Sequence, residues 1–301
     1  MTIYSQISSN KQKTFFIFAL FIIILSGFFY IIGLYYGDAN GYLILGLAIS
    51  SVSSILSYFF SDKLVLFSVK AVPADREQYF NFYTAGENMS IAAGIPMPKL
   101  YVIPDGSPNA FATGRDPQHA IVCATEGLLD MMDRAELEGV IAHELSHIKN
   151  YDMLVMTVVS VLVGTVSLVA DWILRSMWWG GLGRRDNEER KSGGNPLMFV
   201  LLLVALVVAP LTATLIQLAI SRKREYLADA SGALLTRRPA SLASALEKIA
   251  TYPIGMRTAS TATAHLFISN PFKKSKKGNW FLNLFSTHPP IEERIRLLRE
   301  M

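Results

Sequence analysis

Residues 133–170 read DRAELEGVIAHELSHIKNYDMLVMTVVSVLVGTVSLVA. Asp133 is a capping residue for a helix that runs from Arg134 to about Asn150. Leu137, Val140 and Ile141 give that helix an apolar side. Within it, His143-Glu144-Leu145-Ser146-His147 sets two imidazoles four residues apart. Positions at that spacing share one helical face, so both rings can bind one ion. Glu144 then lies where it can take a proton from a water activated by that ion. Just beyond, an uncharged apolar run extends from Met153 to Ala170. Two histidines and a glutamate at such a boundary are costly to bury without a ligand.

The run from Met153 has three counterparts. Phe15 to Tyr36 and Gly41 to Ser61 carry no charge, and Pro196 to Ser221 is apolar with Pro210 inside it. These four segments explain an apolar content of 51% and a mean hydropathy of +0.33. A bilayer core needs roughly 20 apolar residues as a helix. None of the runs alternates, so helices rather than barrel strands are expected. The first run is too long for the core of a cleaved signal peptide, and no small-x-small site follows it, so it reads as a retained anchor.

Only Gly37 to Asn40 separate the first two spans, which makes them a hairpin. That loop has no Lys or Arg, whereas Lys11 and Lys13 precede it and Lys63 and Lys70 follow. The positive-inside rule then puts the N-terminus and residue 62 onward on the cytoplasmic side. The loop between spans three and four, Ser176 to Asn195, strains this topology because it holds Arg184, Arg185, Arg190 and Lys191. The net charge of +4 also includes Lys273, Lys274, Lys276 and Lys277 among Phe272, Trp280 and Phe281. In a chain with several spans, anionic lipid head groups are the expected partner of that cluster, not nucleic acid. Cys123 is the single cysteine, which excludes an intrachain disulfide, and it reads as a small buried hydrophobe.

Between the hairpins the chain reads as a soluble segment. Pro73 to about Gly94 is expected to be helical. Lys99 to Pro104, Ala110 to Thr113 and His119 to Ala124 read as strands, with turns at Asp105–Pro108 and Gly114–Pro117. A last helix is expected from Ile291 to Glu300. The boundaries that follow are 1–70 for the N-terminal hairpin and 71–152 for the first part of a domain that carries the two histidines. Residues 153–221 form the second hairpin and 222–301 the second part of the domain.

A catalytic zinc usually takes three protein ligands and leaves one position open. Glu225-Tyr-Leu-Ala-Asp229 follows the fourth span, with both carboxylates on one helical face. Glu225 can ligate the metal, and Asp229 can fix the tautomer of a ligand histidine. The topology favours this pairing. His147 lies just before the third span and Glu225 just after the fourth, so a membrane hairpin returns them to one face.

These motifs, with Pro108-Asn-Ala-Phe-Ala-Thr-Gly-Arg115, Arg224-Glu-Tyr-Leu-Ala-Asp229 and Ser286-Thr-His-Pro-Pro290, make the chain resemble the HtpX family of membrane metallopeptidases. That family is related to the CAAX prenyl-protein endopeptidases. The resemblance covers nearly the whole chain. It implies an α-helical membrane protein with four transmembrane helices and an α+β zincin-like protease domain carrying a small β-sheet. It also implies one Zn2+ held by His143, His147 and Glu225, with Glu144 as catalytic base. A role in the bacterial inner membrane in protein quality control follows, with the protease domain facing the cytoplasm. Membrane-protein and peptide substrates are the expected partners, alongside the lipid bilayer and a homo-oligomer or other quality-control proteins.

In that light Asn109, Ala110, Phe111, Ala112 and Thr113 become an edge strand beside the zinc, able to bind an extended peptide by backbone hydrogen bonds. His288 becomes a candidate for stabilising the oxyanion, with Arg294 as a second. His119 and His265 have no partners in the pattern and read as surface or strand residues. Asp171 is expected to pair with Arg175. An enzyme that cuts prenylated C-termini would need a larger chamber and more spans. A scaffold with a structural zinc would need four protein ligands and no Glu144. A transporter would need polar lining in the spans.

Overall fold

The computed structural model describes residues 3–181, 215, 222–272 and 289–301. Two long helices, α1 (Ile3–Tyr36) and α2 (Ala39–Ser68), form the N-terminal hairpin. Gly37 turns the chain with φ +85, a conformation glycine adopts without strain, and the Asp38 side chain caps α2 by accepting from Gly41 N–H. Between this hairpin and the third long helix lie a short strand β1 (Val72–Pro73), helix α3 (Phe80–Ala93) and strands β2 (Lys99–Ile103), β3 (Ala110–Thr113) and β4 (Ile121–Thr125). Helices α4 (Glu126–Met131) and α5 (Arg134–Lys149) follow, and then α6 (Asp152–Gly181). After the undescribed stretch come α7 (Arg222–Thr236), α8 (Pro239–Thr251) and α9 (Ile291–Arg299).

Among the described residues three helices are long and apolar enough to cross a membrane: Ser8–Leu34, Ala39–Ser68 and Asp152–Asp171. The fourth expected span, 196–221, falls outside the described residues except for Leu215, so three of the four expected spans are found. The three differ in surroundings. Only 22% of the most apolar window of α2 is buried, against 67% for α6. Thus α2 offers its apolar side chains outward, as a lipid-facing helix does, and α6 is the inner helix. Ile17, Phe21, Leu25 and Phe28 of α1 pack with Leu154, Val158 and Leu162 of α6 in one apolar cluster. The buried face of α2 is small instead as far as its last turns, with Gly46, Ser50, Ser54, Ser57 and Ser61, and only then turns to Val65 and Leu66. Small residues let membrane helices approach closely, and Gly46 lies directly against Phe29 of α1.

The sheet has the order β1-β2-β4-β3. Strands β2 and β4 are parallel, while β1 and β3 pair antiparallel at the two edges. One face of this sheet contributes Leu100, Val102, Ala110, Ala112, Val122 and Ala124 to a core that includes Leu137, Val140, Ile141 and Leu145 of α5. The apolar side expected for the α5 helix is the side it buries.

Several expectations need correction. The helix expected from Pro73 starts at Phe80 instead. Pro73 belongs to β1, and the Asp75 carboxylate accepts from Glu77 and Gln78 N–H, closing a turn that competes with helix. Strand β4 starts at Ile121, because Pro117–His119 forms one 3-10 turn capped by Asp116. His119 is exposed and its Nδ1 lies 2.7 Å from Asp116, but His265 is buried, with Nε2 3.0 Å from the Met156 carbonyl and 3.2 Å from Ser160 Oγ. The basic loop 184–191, the lysines at 273–277 and His288 lie outside the described residues. Asp171 and Arg175 pair at 2.8 Å, as expected. Cys123 is fully buried, and that burial pushes its thiol pKa well up.

Candidate metal centre

Helix α5 begins with a capping box, in which the Asp133 side chain accepts from Glu136 N–H and the Glu136 carboxylate accepts from Asp133 N–H. Two and a half turns later His143, Glu144 and His147 reach the middle of the protein, with 0%, 2% and 5% of their surface exposed. Helix α7 crosses α5 closely because Gly232 has no side chain: a Cβ there would come within 3.1 Å of the His143 backbone nitrogen. Asp229 and Glu225 sit one and two turns before Gly232 and so project from the same face. That crossing delivers both carboxylates to the histidines.

Both rings turn their Nδ1 atoms outward and their Nε2 atoms inward. His143 Nδ1 lies 2.9 Å from Asp229 Oδ1, in contact though bent from ideal hydrogen-bond alignment. His147 Nδ1 lies 3.2 Å from Asp152 Oδ2. The two Nε2 atoms are 3.2 Å apart. The Glu225 carboxylate completes a triangle, with Oε1 3.5 Å from His147 Nε2 and Oε2 3.9 Å from His143 Nε2. With the Nδ1 protons turned toward carboxylates, both Nε2 atoms are left as lone-pair acceptors. Two such nitrogens and a carboxylate facing one point repel one another unless a cation or proton sits among them. Tetrahedral zinc with ligand bonds of about 2.0–2.1 Å separates its ligand atoms by about 3.3 Å. Three of the groups here are spaced for that ion, and two imidazoles with a carboxylate suit zinc chemically.

The metal-free electrostatics point the same way. Burial alone would lower the His147 pKa, but Asp152, Glu225 and Glu144 overcome it and raise it to about 9. A proton is thus held where a cation fits. His143 goes down, because burial outweighs Asp229 there, with Arg294 and His147 adding to the fall. Burial pushes Glu144 up to about 7; Glu225 adds to the rise, while His147, Arg294 and a hydrogen bond from Ala112 N–H oppose it. A carboxylate near neutral pKa is suited to general acid–base work.

Arg294 of α9 is fully buried. Its Nε and Nη2 grip the two Asp229 oxygens at 2.8 and 2.7 Å, its Nη1 donates to the Ile268 carbonyl at 2.8 Å, and it reaches Glu225 Oε2 at 3.5 Å. This bidentate pair overrides the burial cost and holds Asp229 down to about 2. Sequence reading placed Arg294 near developing charge on substrate; its described contacts are with the Asp229 and Glu225 carboxylates and the Ile268 carbonyl.

Strand β3 is the sheet edge, as expected, but it is covered. Ala110, Phe111, Ala112 and Thr113 are all buried. Asn109 O accepts from Thr125 N–H, so the backbone groups of residues 109, 111 and 113 face β4 and those of Ala110 and Ala112 face outward. Ala110 O accepts from Ile268 N–H, and Ala112 N–H serves Glu144. The Asn109 amide bonds Ser269 O, the Phe111 ring packs on Phe267, and Thr113 Oγ1 contacts Thr157 Oγ1. Among the described residues of this edge, Ala112 is the one whose N–H reaches Glu144.

Sequence reasoning missed Asp152 and Asn10. Asp152 Oδ1 accepts from Asn10 Nδ2 at 2.9 Å and from Arg224 Nη1 at 3.2 Å. The available signal was a charged residue at the head of an apolar run, five positions after His147.

Comparison with known proteins places this geometry in a family. The sequence model of peptidase family M48 matches residues 81–301. A "Protease HtpX homolog" of Thermoanaerobacter pseudethanolicus is 47% identical over 304 residues, covering 100% of this chain and 98% of that protein. Its counterpart in Caldanaerobacter subterraneus subsp. tengcongensis is 48% identical over 302 residues, with 100% and 98% covered. One from Tropheryma whipplei is 46% identical, with 99% and 98% covered. Among solved structures, the crystal structure of S. mikatae Ste24p aligns with a TM-score of 0.47 at 19% identity; it covers 94% of this chain, which spans 62% of that protein. The chain belongs to peptidase family M48, among its HtpX-type membrane metalloproteases.

Proposed function

We propose that this protein is a zinc-dependent endopeptidase that hydrolyses peptide bonds of misfolded or damaged membrane proteins. The convergence of His143 Nε2, His147 Nε2 and the Glu225 carboxylate carries the reading. Those three residues hold one zinc. Bound zinc supplies Lewis-acid polarisation of a carbonyl and brings the pKa of water toward about 7. Everything else is done by the chain. Glu144, fixed by Ala112 N–H, takes a proton from the attacking water on its carboxylate and returns it to the leaving amine. Asp229 and Asp152 hold the two imidazoles in the tautomer that turns Nε2 inward. Of the stretch Asn109–Thr113 expected to receive the peptide, Ala112 is the point of entry, its outward carbonyl lying on the side of Glu144, because Asn109 and Ala110 are already engaged by Thr125 and Ile268. His288 is assigned to the oxyanion on the sequence pattern alone.

The protein works in the cell inner membrane with its protease domain toward the cytoplasm, which rests on Lys11, Lys13, Lys63 and Lys70 flanking the first hairpin. The protease domain is built from 71–152 and 222–301, joined through the second hairpin, and α5 packing on α7 supports that division. Its partners are membrane-protein and peptide substrates and the bilayer.

Proteomics of membranes containing wild type or Glu144→Gln tests the reading. Fragments of membrane proteins should appear with wild type and be missing with Glu144→Gln. Identical fragment sets, or fragments only of soluble proteins, would overturn it.

A further inference from the structure

The polar end of α1 is an unexplained feature. Asn10 is 3% exposed, in a helix whose neighbouring buried residues are otherwise apolar apart from Thr14 and Ser26. A buried amide must be satisfied, and Asn10 is satisfied by the metal centre. Its Nδ2 donates to Asp152 Oδ1 at 2.9 Å and to the Asn150 carbonyl at 3.0 Å, while Arg224 Nη1 lies 3.5 Å from its Oδ1. The opposite amide orientation would set oxygen against two oxygens and nitrogen against a guanidinium, so the contacts fix which way the group points.

The segment it holds is the turn that passes the chain from His147 to Asp152. Tyr151 adopts φ +60 there, a left-handed conformation unfavourable for a bulky residue. Such a conformation persists where its surroundings over-determine it. Here α1 supplies two restraints: Asn10 on the Asn150 carbonyl and Lys11 Nζ 5.1 Å from the centre of the Tyr151 ring. Asp152 in turn lies 3.2 Å from His147 Nδ1.

We propose that the first membrane helix is a structural part of the metal centre: Asn10 is a positioning residue that fixes Asp152 and, through it, the inward Nε2 of His147. Metal binding is thereby coupled to the contact of the Asn10 amide with the head of α6. The inference rests on the zinc reading above.

The test uses the full-length chain in detergent and measures its zinc affinity by competition with a chelator of known strength. The variants are Asn10→Ala, Asp152→Ala, the two combined, and Ile17→Ala. Ile17 is buried in the apolar contact of α1 with α6, about two turns beyond Asn10. Asp152→Ala should weaken zinc roughly 10- to 100-fold. Asn10→Ala, one contact farther out, should weaken it about three- to tenfold. The combined variant should be no weaker than Asp152→Ala alone, because Asn10 acts through Asp152. Substituted cobalt should show an altered visible spectrum in Asn10→Ala and the wild-type spectrum in Ile17→Ala. Where Asn10→Ala folds poorly, the near-isosteric Asn10→Leu removes the same donor and keeps the volume.

Unchanged zinc affinity in both Asn10 variants, or losses that add in the combined variant, would overturn the proposal. So would an equal loss in Ile17→Ala, since helix seating alone would then account for it. If the wild-type chain binds no zinc, or binds it equally after His143→Ala and His147→Ala together, the zinc reading itself fails and takes this inference with it.

Discussion

The two histidines of the site are served by the same device from opposite walls. On the protease side, Asp229 faces His143 and is gripped at both oxygens by the buried Arg294. On the membrane side, Asp152 faces His147 and is held by a neutral amide and by Arg224, whose side chain keeps 14% exposure. The first wall compensates buried charge with buried charge. The second uses a helix that must first be placed by a membrane. The difference predicts that one wall matters more for stability and the other more for tuning the ligand.

The largest effect should come from Asp229→Ala. It strands a buried guanidinium, whose remaining described contacts are the Ile268 carbonyl at 2.8 Å and one carboxylate, Glu225, at 3.5 Å. Breaking a buried ion pair from one side costs about 3–5 kcal/mol. Thermal unfolding in detergent should show a large fall in midpoint together with weakened zinc. A midpoint within the scatter of wild type would show that Arg294 is not paid for by Asp229. Asp152→Ala should shift the midpoint much less while still weakening zinc roughly 10- to 100-fold. Equal midpoint losses in the two variants would erase the distinction between the walls.

The walls should also separate by pH. Asp229 is depressed in the folded chain to about 2. Its stabilisation is therefore complete above the unfolded carboxylate range and is lost as pH falls from about 4 through 2. The metal-stripped protein should lose stability in that window, and Asp229→Asn should not show the step. On the other wall His147 carries its proton up to about 9. That proton competes with the metal, so zinc affinity should climb with pH, up to about tenfold per unit, until about 9. In Asp152→Asn the climb should end nearer the ordinary histidine range of about 6.5. An unshifted endpoint would mean that Asp152 does not govern His147.

The comparison also explains what sequence could show. Most of the protease wall is local in sequence: histidines four apart on one helix, carboxylates four apart on another, and a capped helix start at Asp133; Arg294, 65 positions from Asp229, is the exception. Periodicity and capping rules read such patterns directly. The short apolar strand Ala110–Thr113 was legible too, because turn residues bound it; its place at the sheet edge was implied by the family resemblance. The membrane wall was not legible. Asn10 and Asp152 are 142 positions apart, and no spacing rule links a polar residue in one apolar span to the head of another. The helix expected from Pro73 failed for a different reason. Helical composition was outweighed by a side-chain turn at Asp75 and by pairing with β2. His265 looked isolated because its partners, Met156 and Ser160, lie on α6, over 100 residues away.

A smaller effect tests the join between Glu144 and the sheet edge. Ala112 N–H is one of the groups opposing the rise of Glu144. Ala112→Pro removes that donor, so the acid limb of kcat/KM should move to higher pH. Proline also removes only an outward N–H, which an edge strand tolerates. An unmoved acid limb would detach Glu144 from the strand.

In the proposed site His143, His147 and Glu225 hold the metal and Glu144 acts beside it. The zinc-to-protein ratio of detergent-purified protein tests this most directly. Wild type and Glu144→Gln should both carry about one zinc per chain, while Glu225→Ala and the His143→Ala, His147→Ala double variant should carry almost none. Loss of zinc in Glu144→Gln would move that residue into the ligand set, and zinc retained by the double histidine variant would contradict the site altogether.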